Sequence, residues 1–428
     1  MSAIARAIYV IAVWLALPIA VLRLFMRARR EPLYRERIGE RFGFHALPPD
    51  RPVIWVHAVS VGEARASEPL ARGLMARHPG AMLLATCMTA AGREALEGIW
   101  GNRARIAWLP WDEPFAVRRF LAFFRPRLAV LMETEVWFNL IGACRASGIP
   151  VALANARMSE KSARGYAMLG VLSAPAFAAL DAVCAQSEAD AQRLRALGAR
   201  AVAVSGNLKF DLLPDAARAA EGAQRKRAFG GRPVLLWAST REGEEAALLD
   251  ALGPPAAKDP VLVIVPRHPR RFDEVAELVR RRGYALARRS AGADSHAAES
   301  QAAESQAGVL LGDTMGEMAF YYALADVVVM GGSVLPFGSH NLIEPLAQGL
   351  PVVLGPSDYN FRDAAQAAIA AGAAVRAASA VQVIEAALSL LADAPRRRRM
   401  GDAGIALCAS HRGATARQLE IISALLRP

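Results

Sequence analysis

Short apolar runs recur along the 428 residues, each followed by an amphipathic stretch, and that alternation limits what the chain can fold into. Runs at 52–60, 82–88, 106–109, 128–133, 150–155, 182–186 and 201–205 read as strands, with helical stretches such as 63–77 between them. A second series begins after Gly231, with runs at 233–239, 261–266, 309–312, 327–330, 351–354 and 374–376. Strands separated by helices pair in parallel, because a parallel neighbour needs a long crossover, and the helices then cover both faces of the sheet. Two such series predict an α/β fold of two doubly wound, Rossmann-like domains facing a cleft, with the boundary near 206–214.

The amino terminus carries a different signal. Ala7 to Leu22 holds no charge, and Arg6 and Arg23 bracket it. That is slightly short of the roughly 20 residues a bilayer needs, but Phe25 and Met26 extend it and flanking arginines snorkel. No small-x-small cleavage site follows; the chain continues Arg27-Ala-Arg-Arg30 and stays basic through Arg41. These features predict an uncleaved N-terminal transmembrane or membrane-anchoring helix, with the bulk of the protein on the cytoplasmic side. Lys plus Arg exceed Asp plus Glu by 51 − 40 = 11, which suits an anionic partner: nucleic acid, an acidic membrane surface or a phosphorylated lipid. Cys87, Cys144, Cys184 and Cys408 form no CxxC or metal pattern, so disulfides are not expected. The tandem Ala-Ala-Glu-Ser-Gln within 291–307 reads as a surface loop, and the arginine run 396–399 as a solvated face.

Polar clusters stand where strands should end. Gly331-Gly-Ser-Val-Leu-Pro-Phe-Gly-Ser-His-Asn-Leu-Ile-Glu344 follows an apolar strand and opens a short helix near Asn341. Glycines admit a ligand close to the backbone, a helix start offers free N–H groups to a phosphate, and Glu344 could grip a ribose diol. The plainer reading is a tight βα turn. In Trp55-Val-His-Ala-Val-Ser-Val-Gly-Glu63, Ser60 and Gly62 end a strand and Glu63 starts a helix, placing a candidate general base at the carboxyl end of the sheet. A first-turn Glu that only complements the helix dipole is equally plain. Glu133 and Glu135 flank Thr134 in the same geometry and could bind cations or orient sugar hydroxyls. Arg157, Lys161 and Lys209 follow other strands and would bring cations to an anionic substrate. Ser239 and Thr240 open a polar strand-to-helix turn, Arg267-His268-Pro269-Arg270 another, and Asp313-Thr-Met315-Gly316-Glu317 a third. His268 could donate to a phosphate or base, although a lone His is more often structural.

No GxxxxGK[ST], no GxGxxG with its acidic partner, and no HExxH or Cys/His ligand spacing occurs, which disfavours P-loop, dehydrogenase and metal chemistry. Together, His57…Ser60-Val-Gly-Glu63, Met132-Glu-Thr-Glu135, Asn155-Ala-Arg157 with Ser159-Glu160, Gly206-Asn-Leu-Lys-Phe-Asp211, Pro266-Arg-His-Pro-Arg270 and His340-Asn-Leu-Ile-Glu344 resemble the 3-deoxy-D-manno-octulosonic acid (Kdo) transferases of lipid A biosynthesis. Those are membrane-anchored glycosyltransferases of the GT-B fold, and the resemblance covers nearly the whole chain. Two details depart from it: Ser339 stands where a second glycine is usual, and 297–306 looks like a private insertion.

The resemblance implies an inverting transfer of Kdo from CMP-Kdo to the tetraacyl-disaccharide precursor of lipid A, lipid IVA, without cofactor or metal. Its partners would be donor, acceptor and inner-membrane lipid, and no nucleic acid. By domain it implies a membrane anchor and basic flank at 1–30, an acceptor-binding domain at 31–210 and a CMP-Kdo-binding domain at 211–428, with the last helix a candidate to pack back on the first domain. Glu63 matches the family's general base, and Glu133 and Lys209 match groups that stabilise the transition state. Arg267, His268, Pro269, Met315, Gly316, Glu317 and the segment Asn341, Leu342, Ile343, Glu344 match CMP-binding positions, with Ser60, Gly62, Arg157, Ser239, Thr240 and His340 lining the substrates. Two rival readings are a GT-B enzyme using a UDP-sugar, which nucleotide competition would separate, and a non-catalytic membrane-tethered module, against which intact Glu63, Glu133 and Lys209 argue.

Overall fold

The computed structural model describes residues 3–29, 31–256, 260–291 and 308–426, so the tandem repeat and the 297–306 insertion lie outside the described residues. The chain divides into two compact units, Met1–Asp211 with Arg412–Pro428, and Leu212–His411.

Unit 1 is built on seven parallel strands: β1 (Val53–His57), β2 (Met82–Cys87), β3 (Ala104–Trp108), β4 (Pro126–Met132), β5 (Val151–Ala156), β6 (Ala182–Ala185) and β7 (Val202–Val204). Their order is β3-β2-β1-β4-β5-β6-β7. Successive residues of β1 point to opposite faces and supply two cores. Val53 and Trp55 pack with Phe120, Phe124 and Phe177 on one side, while Ile54 and Val56 pack with Leu70 and Leu74 on the other. Because both faces are covered, β1 reads as an unbroken apolar run rather than an alternating one.

Unit 2 repeats the plan with β8 (Val234–Thr240), β9 (Val261–Pro266), β10 (Leu286–Arg288), β11 (Val309–Leu311), β12 (Val327–Met330), β13 (Val352–Leu354) and β14 (Ala374–Arg376). The order is β10-β11-β9-β8-β12-β13-β14, again all parallel. The three-residue β10 has no apolar run and sits half-buried at the sheet edge, which is why the hydrophobic pattern gives no sign of it.

The winding reverses between β1 and β4 in unit 1 and between β8 and β12 in unit 2. Loops leaving such neighbouring strands in opposite directions open a crevice beyond their carboxyl ends. Six residues other than glycine adopt positive φ, and four of them sit at or near strand ends: Glu133 (54°), Asn155 (51°), Ser239 (59°) and Ser339 (66°).

Two peripheral helices belong to unit 1. The first, α1 (Ala3–Ala28), is the one helix among the described residues long and apolar enough to cross a membrane by length and composition. The last, Ala414–Ser423, packs against the helix α2 (Val61–Arg77), where a Cβ on Gly73 would lie 2.6 Å from Leu419. Its Gln418 accepts from the Asn155 N–H at 3.0 Å and donates to Gly206 O at 3.2 Å, while Asp211 accepts from Gly413 and Thr415 N–H groups at 2.7 and 2.6 Å.

Candidate active site

In unit 1, Ser60 caps α2, its hydroxyl accepting from Glu63 N at 3.4 Å. The Glu63 carboxylate reaches back to accept from Val59 N at 2.9 Å and Ser60 Oγ at 3.1 Å. This reciprocal arrangement is a capping box, so the plain role is realised. It also fixes the carboxylate at the end of β1, with Gly62 exposed beside it. Burial pushes the Glu63 carboxyl up to about 7, with the Glu133 charge adding to the shift and the Val59 N–H opposing it. The group therefore changes charge near neutral pH.

Glu133 follows β4 directly. Its N–H donates to Ala154 O at 2.9 Å, tying it to β5, and its left-handed backbone turns the side chain onto Lys209, Nζ to Oε1 2.7 Å. Both side chains are nearly enclosed, at 13 and 12 % exposure. Burial alone would raise the Glu133 carboxyl, but the Lys209 ammonium, its hydrogen bond and the Arg157 charge hold it below the ordinary range. Asn155 places Lys209: its Oδ1 accepts from Leu208 N at 3.0 Å, at the start of the short turn Leu208–Asp211. The Arg157 N–H donates to Glu133 O at 3.4 Å. Glu135 accepts from Trp137 Nε1 at 2.7 Å, and burial, with the Glu133 charge, raises its carboxyl. His57, 3.9 Å from Glu135, is fully buried with Nδ1 on Thr86, and burial holds it neutral at about 4. Ser60, Gly62, Glu63, Glu133, Arg157 and Lys209 thus gather at the carboxyl ends of β1, β4, β5 and the turn after β7.

In unit 2 the ends of β8 and β12 nearly touch. A Cβ on Gly331 would lie 2.3 Å from Ser239 O, so only glycine fits. The fully buried Glu244 carboxylate accepts four backbone N–H bonds, from Arg241 at 2.8 Å, Gly332 at 2.7 Å, Val334 at 2.9 Å and Leu335 at 3.2 Å. It pins the glycine loop to the β8 turn. Thr240 is buried and donates to Glu245 at 2.6 Å, and Arg271 grips the same carboxylate at 2.7 and 2.9 Å. The Thr240 hydroxyl is therefore spent on scaffold.

Arg267 N donates to Thr240 O at 2.9 Å and brings the Arg267-His268-Pro269 turn beside β8. Burial lowers His268, and the charges of Arg241 and Arg267 lower it further. Burial together with Arg267, Arg241 and His268 takes His340 down to about 3. Two arginines and two neutral imidazoles thus converge there. Asn341 donates to Glu344 at 2.9 Å and accepts from Ile343 N at 3.2 Å, opening the single-turn helix Ile343–Ala347. That helix starts two residues later than the sequence pattern places it, because Asn341 forms the turn that precedes it. Leu342 and Ile343 are buried in the core and offer only backbone. Met315 is exposed and Gly316 has φ 81°, beyond β11. Glu317 is held by Arg218 at 2.9 Å and Arg289 at 3.3 Å.

A family model for 3-deoxy-D-manno-octulosonic-acid transferase (kdotransferase) matches residues 36–212. A Bordetella pertussis 3-deoxy-D-manno-octulosonic acid transferase is 44% identical, over 97% of this chain and 98% of its own. The chain belongs to the Kdo transferase family. The Haemophilus influenzae member is 33% identical over 93% of each chain. As a Kdo transferase the protein is a glycosyltransferase, and solved structures agree on the GT-B fold. A Rickettsia africae glycosyltransferase superposes with a TM-score of 0.57 at 13% identity, covering 89% of this chain and 100% of its own. A UDP-GlcNAc 2-epimerase from Neisseria meningitidis gives 0.56 at 17%, covering 87% and 100%.

Sequence reasoning about this Kdo transferase did not single out Arg241 or Glu244. Both lie in the polar turn 239–245, but a Glu in a first helical turn is common, and three of its four partners lie about ninety residues further on.

Proposed function

We propose that this enzyme transfers Kdo from CMP-Kdo to a hydroxyl of the lipid A precursor lipid IVA, with inversion. Glu63 serves as the general base, unit 1 as the acceptor side and unit 2 as the donor side. The observation that carries this reading is a carboxylate poised near neutral pH at the winding reversal of unit 1, beside an enclosed Glu133–Lys209 pair. A base works best when its pKa lies near the operating pH.

In the transfer, the acceptor oxygen bonds to the anomeric carbon and its proton passes to Glu63. The anomeric carbon–oxygen bond to CMP breaks, and CMP leaves with that electron pair. Arg241 and Arg267 meet the phosphate charge that grows on the leaving group, and neutral His268 and His340 donate hydrogen bonds to it. Lys209, oriented by Glu133, and Arg157 supply positive charge for the sugar carboxylate and the developing charge. Ser60 and Gly62 shape the acceptor side; Ser239, Pro269, Met315–Glu317 and the backbone of 341–344 shape the nucleotide side. Through α1 the enzyme attaches to the inner membrane with both units on the cytoplasmic side.

The reading is tested with purified enzyme in detergent, CMP-Kdo and tetraacylated precursor, with mass spectrometry of the product. The parent adds Kdo, while Glu63→Ala loses on the order of 10²–10⁴ in rate yet retains CMP binding. A variant within tenfold of the parent removes Glu63 from the base role, and a parent that binds CMP but forms no product removes this acceptor.

A further inference from the structure

The inference concerns how α1 meets the membrane, and it rests on the membrane attachment proposed above. We propose that α1 lies in the plane of the bilayer, docked along unit 1, and does not cross it, so that its N-terminal end stays on the same side as the catalytic units.

The helix has two apolar faces with different partners. One face, recurring at Tyr9, Val13, Leu17, Ala20, Leu24 and Ala28, is half-buried or buried, a spacing of three and four residues sustained from one end to the other. Tyr9 donates to Asp112 at 2.7 Å and sets its ring against Phe138, centroids 5.1 Å apart. Trp14 Nε1 donates to Glu113 at 3.2 Å, and its ring lies 6.3 Å from Phe115. At the far end Leu24 and Ala28 join a cluster with Tyr34 and Trp111. Between these points Leu17, Pro18 and Val21 wall a groove of about 600 Å³ with Phe42, Phe115 and Arg119.

Contact with unit 1 thus runs from residue 9 to residue 28. At 1.5 Å per residue that is about 28 Å, close to the ~30 Å hydrocarbon thickness of a bilayer. A crossing helix that kept these contacts would carry Asp112, Glu113 and the exposed Arg118 and Arg119 through the hydrocarbon. A crossing helix that released them would strip Asp112 and Glu113 of their Tyr9 and Trp14 partners. Lying in the plane avoids both.

The opposite face is what lipid would meet. Ile4, Ile8, Ile11, Leu15, Ile19 and Leu22 are 55–74% exposed. Neighbouring unit 1 surface continues it: Phe115 is 52% exposed, and Val171 is 60% exposed on the Gly170–Ala178 helix that α1 touches. No Asp or Glu occurs in α1, while exposed Arg6, Arg23 and Arg27 rise from it and Arg118 and Arg119 stand beside it. An apolar face edged with arginine suits an anionic monolayer entered to headgroup depth.

An epitope added ahead of Met1 of the full chain reports the side. External protease should leave it intact in right-side-out spheroplasts, and should remove it in inside-out vesicles under conditions that also cut the catalytic units. Removal from outside overturns the proposal. A second readout uses Trp14→Cys with Phe115→Cys, the four native thiols being buried. In vesicles of phosphatidylethanolamine and phosphatidylglycerol, a short bis-maleimide should bridge the pair within one chain, at least tenfold above either single variant. Absence of the bridge in membrane-bound protein overturns docking, and a bridge between chains makes the face an interface between copies instead. Protein recovered in the soluble fraction would sink the membrane attachment itself, an outcome distinct from the other three.

Discussion

Replacing Glu244 with Gln tests whether the donor half is held by one buried carboxylate. The side chain has no exposed surface, and its two oxygens accept four N–H bonds, three of them from the loop that follows β12. Gln offers one oxygen, which accepts two. Its amide nitrogen is a donor and meets the remaining two N–H groups with more hydrogens. Each buried donor left unpaired costs about 1–3 kcal/mol, and the two surviving bonds lose the charge that strengthened them. The sum is roughly 3–6 kcal/mol. For a unit of about 200 residues, 1 kcal/mol moves Tm by ~2–4 °C, so calorimetry of Glu244→Gln should show the unit 2 transition lowered by some 6–20 °C. The unit 1 transition should stay in place, and titration with CMP should weaken in parallel because the loop carries His340. A unit 2 transition within about 2 °C of the parent would refute the pinning, and a normal transition with lost CMP binding would move Glu244 from scaffold to ligand contact.

Three further outcomes follow from the same geometry. Lys209→Met leaves Glu133 enclosed without its ammonium and should cost about 3–5 kcal/mol in urea unfolding of unit 1; adding Glu133→Gln should restore a large part of it, and simple additivity of the two would sink the pairing. The carboxyl of Glu63 sits near 7 because burial raises it, and a base must be unprotonated to act. kcat/KM should therefore be flat above about pH 7 and fall tenfold per unit below it, whereas an acid limb near 4.5 would show an unperturbed base. Ser339 holds φ 66°, so Ser339→Gly should change stability by less than ~1 kcal/mol and leave rates unaltered. Ser339→Val adds a β-branch where left-handed backbone resists it and should cost at least ~2 kcal/mol, read from the urea midpoint.

Strand positions in both units were legible because buried parallel strands are continuous apolar runs, and each run from Val53 to Ala374 stands out against polar helices. The half-buried edge strand Leu286–Arg288 has no such contrast and left no trace. Polar clusters at strand ends were equally visible, since Glu133 or Arg267 directly after a buried run is hard to place elsewhere. What each cluster does was less readable. Thr240 looked like a ligand contact and is committed to Glu245, and Glu317 is engaged by Arg218 and Arg289. Those partners come from other elements, and one chain without its contacts does not reveal them. The apolar stretch at Ala7–Leu22 announced a membrane helix by composition. The periodic burial along α1 that argues against crossing appears only once unit 1 lies beside it.

The left-handed residues separate the parts of the site that need a side chain from those that need only a bend. Glycine would relieve each strained position, at roughly 1–2 kcal/mol for a non-glycine residue. Glu133 and Asn155 keep their strain because each side chain makes a contact that glycine could not: the ion pair to Lys209, and the bond to Leu208 N that places it. The two strands thereby aim one carboxylate and one ammonium at each other from different loops. Ser339 has no comparable task, its hydroxyl reaching only His340 O at 3.2 Å. Strain at β4 and β5 is thus tied to the chemistry of unit 1, while strain at Ser339 is a property of the loop. A substitution that relieves the first should cost activity, and one that relieves the second should not.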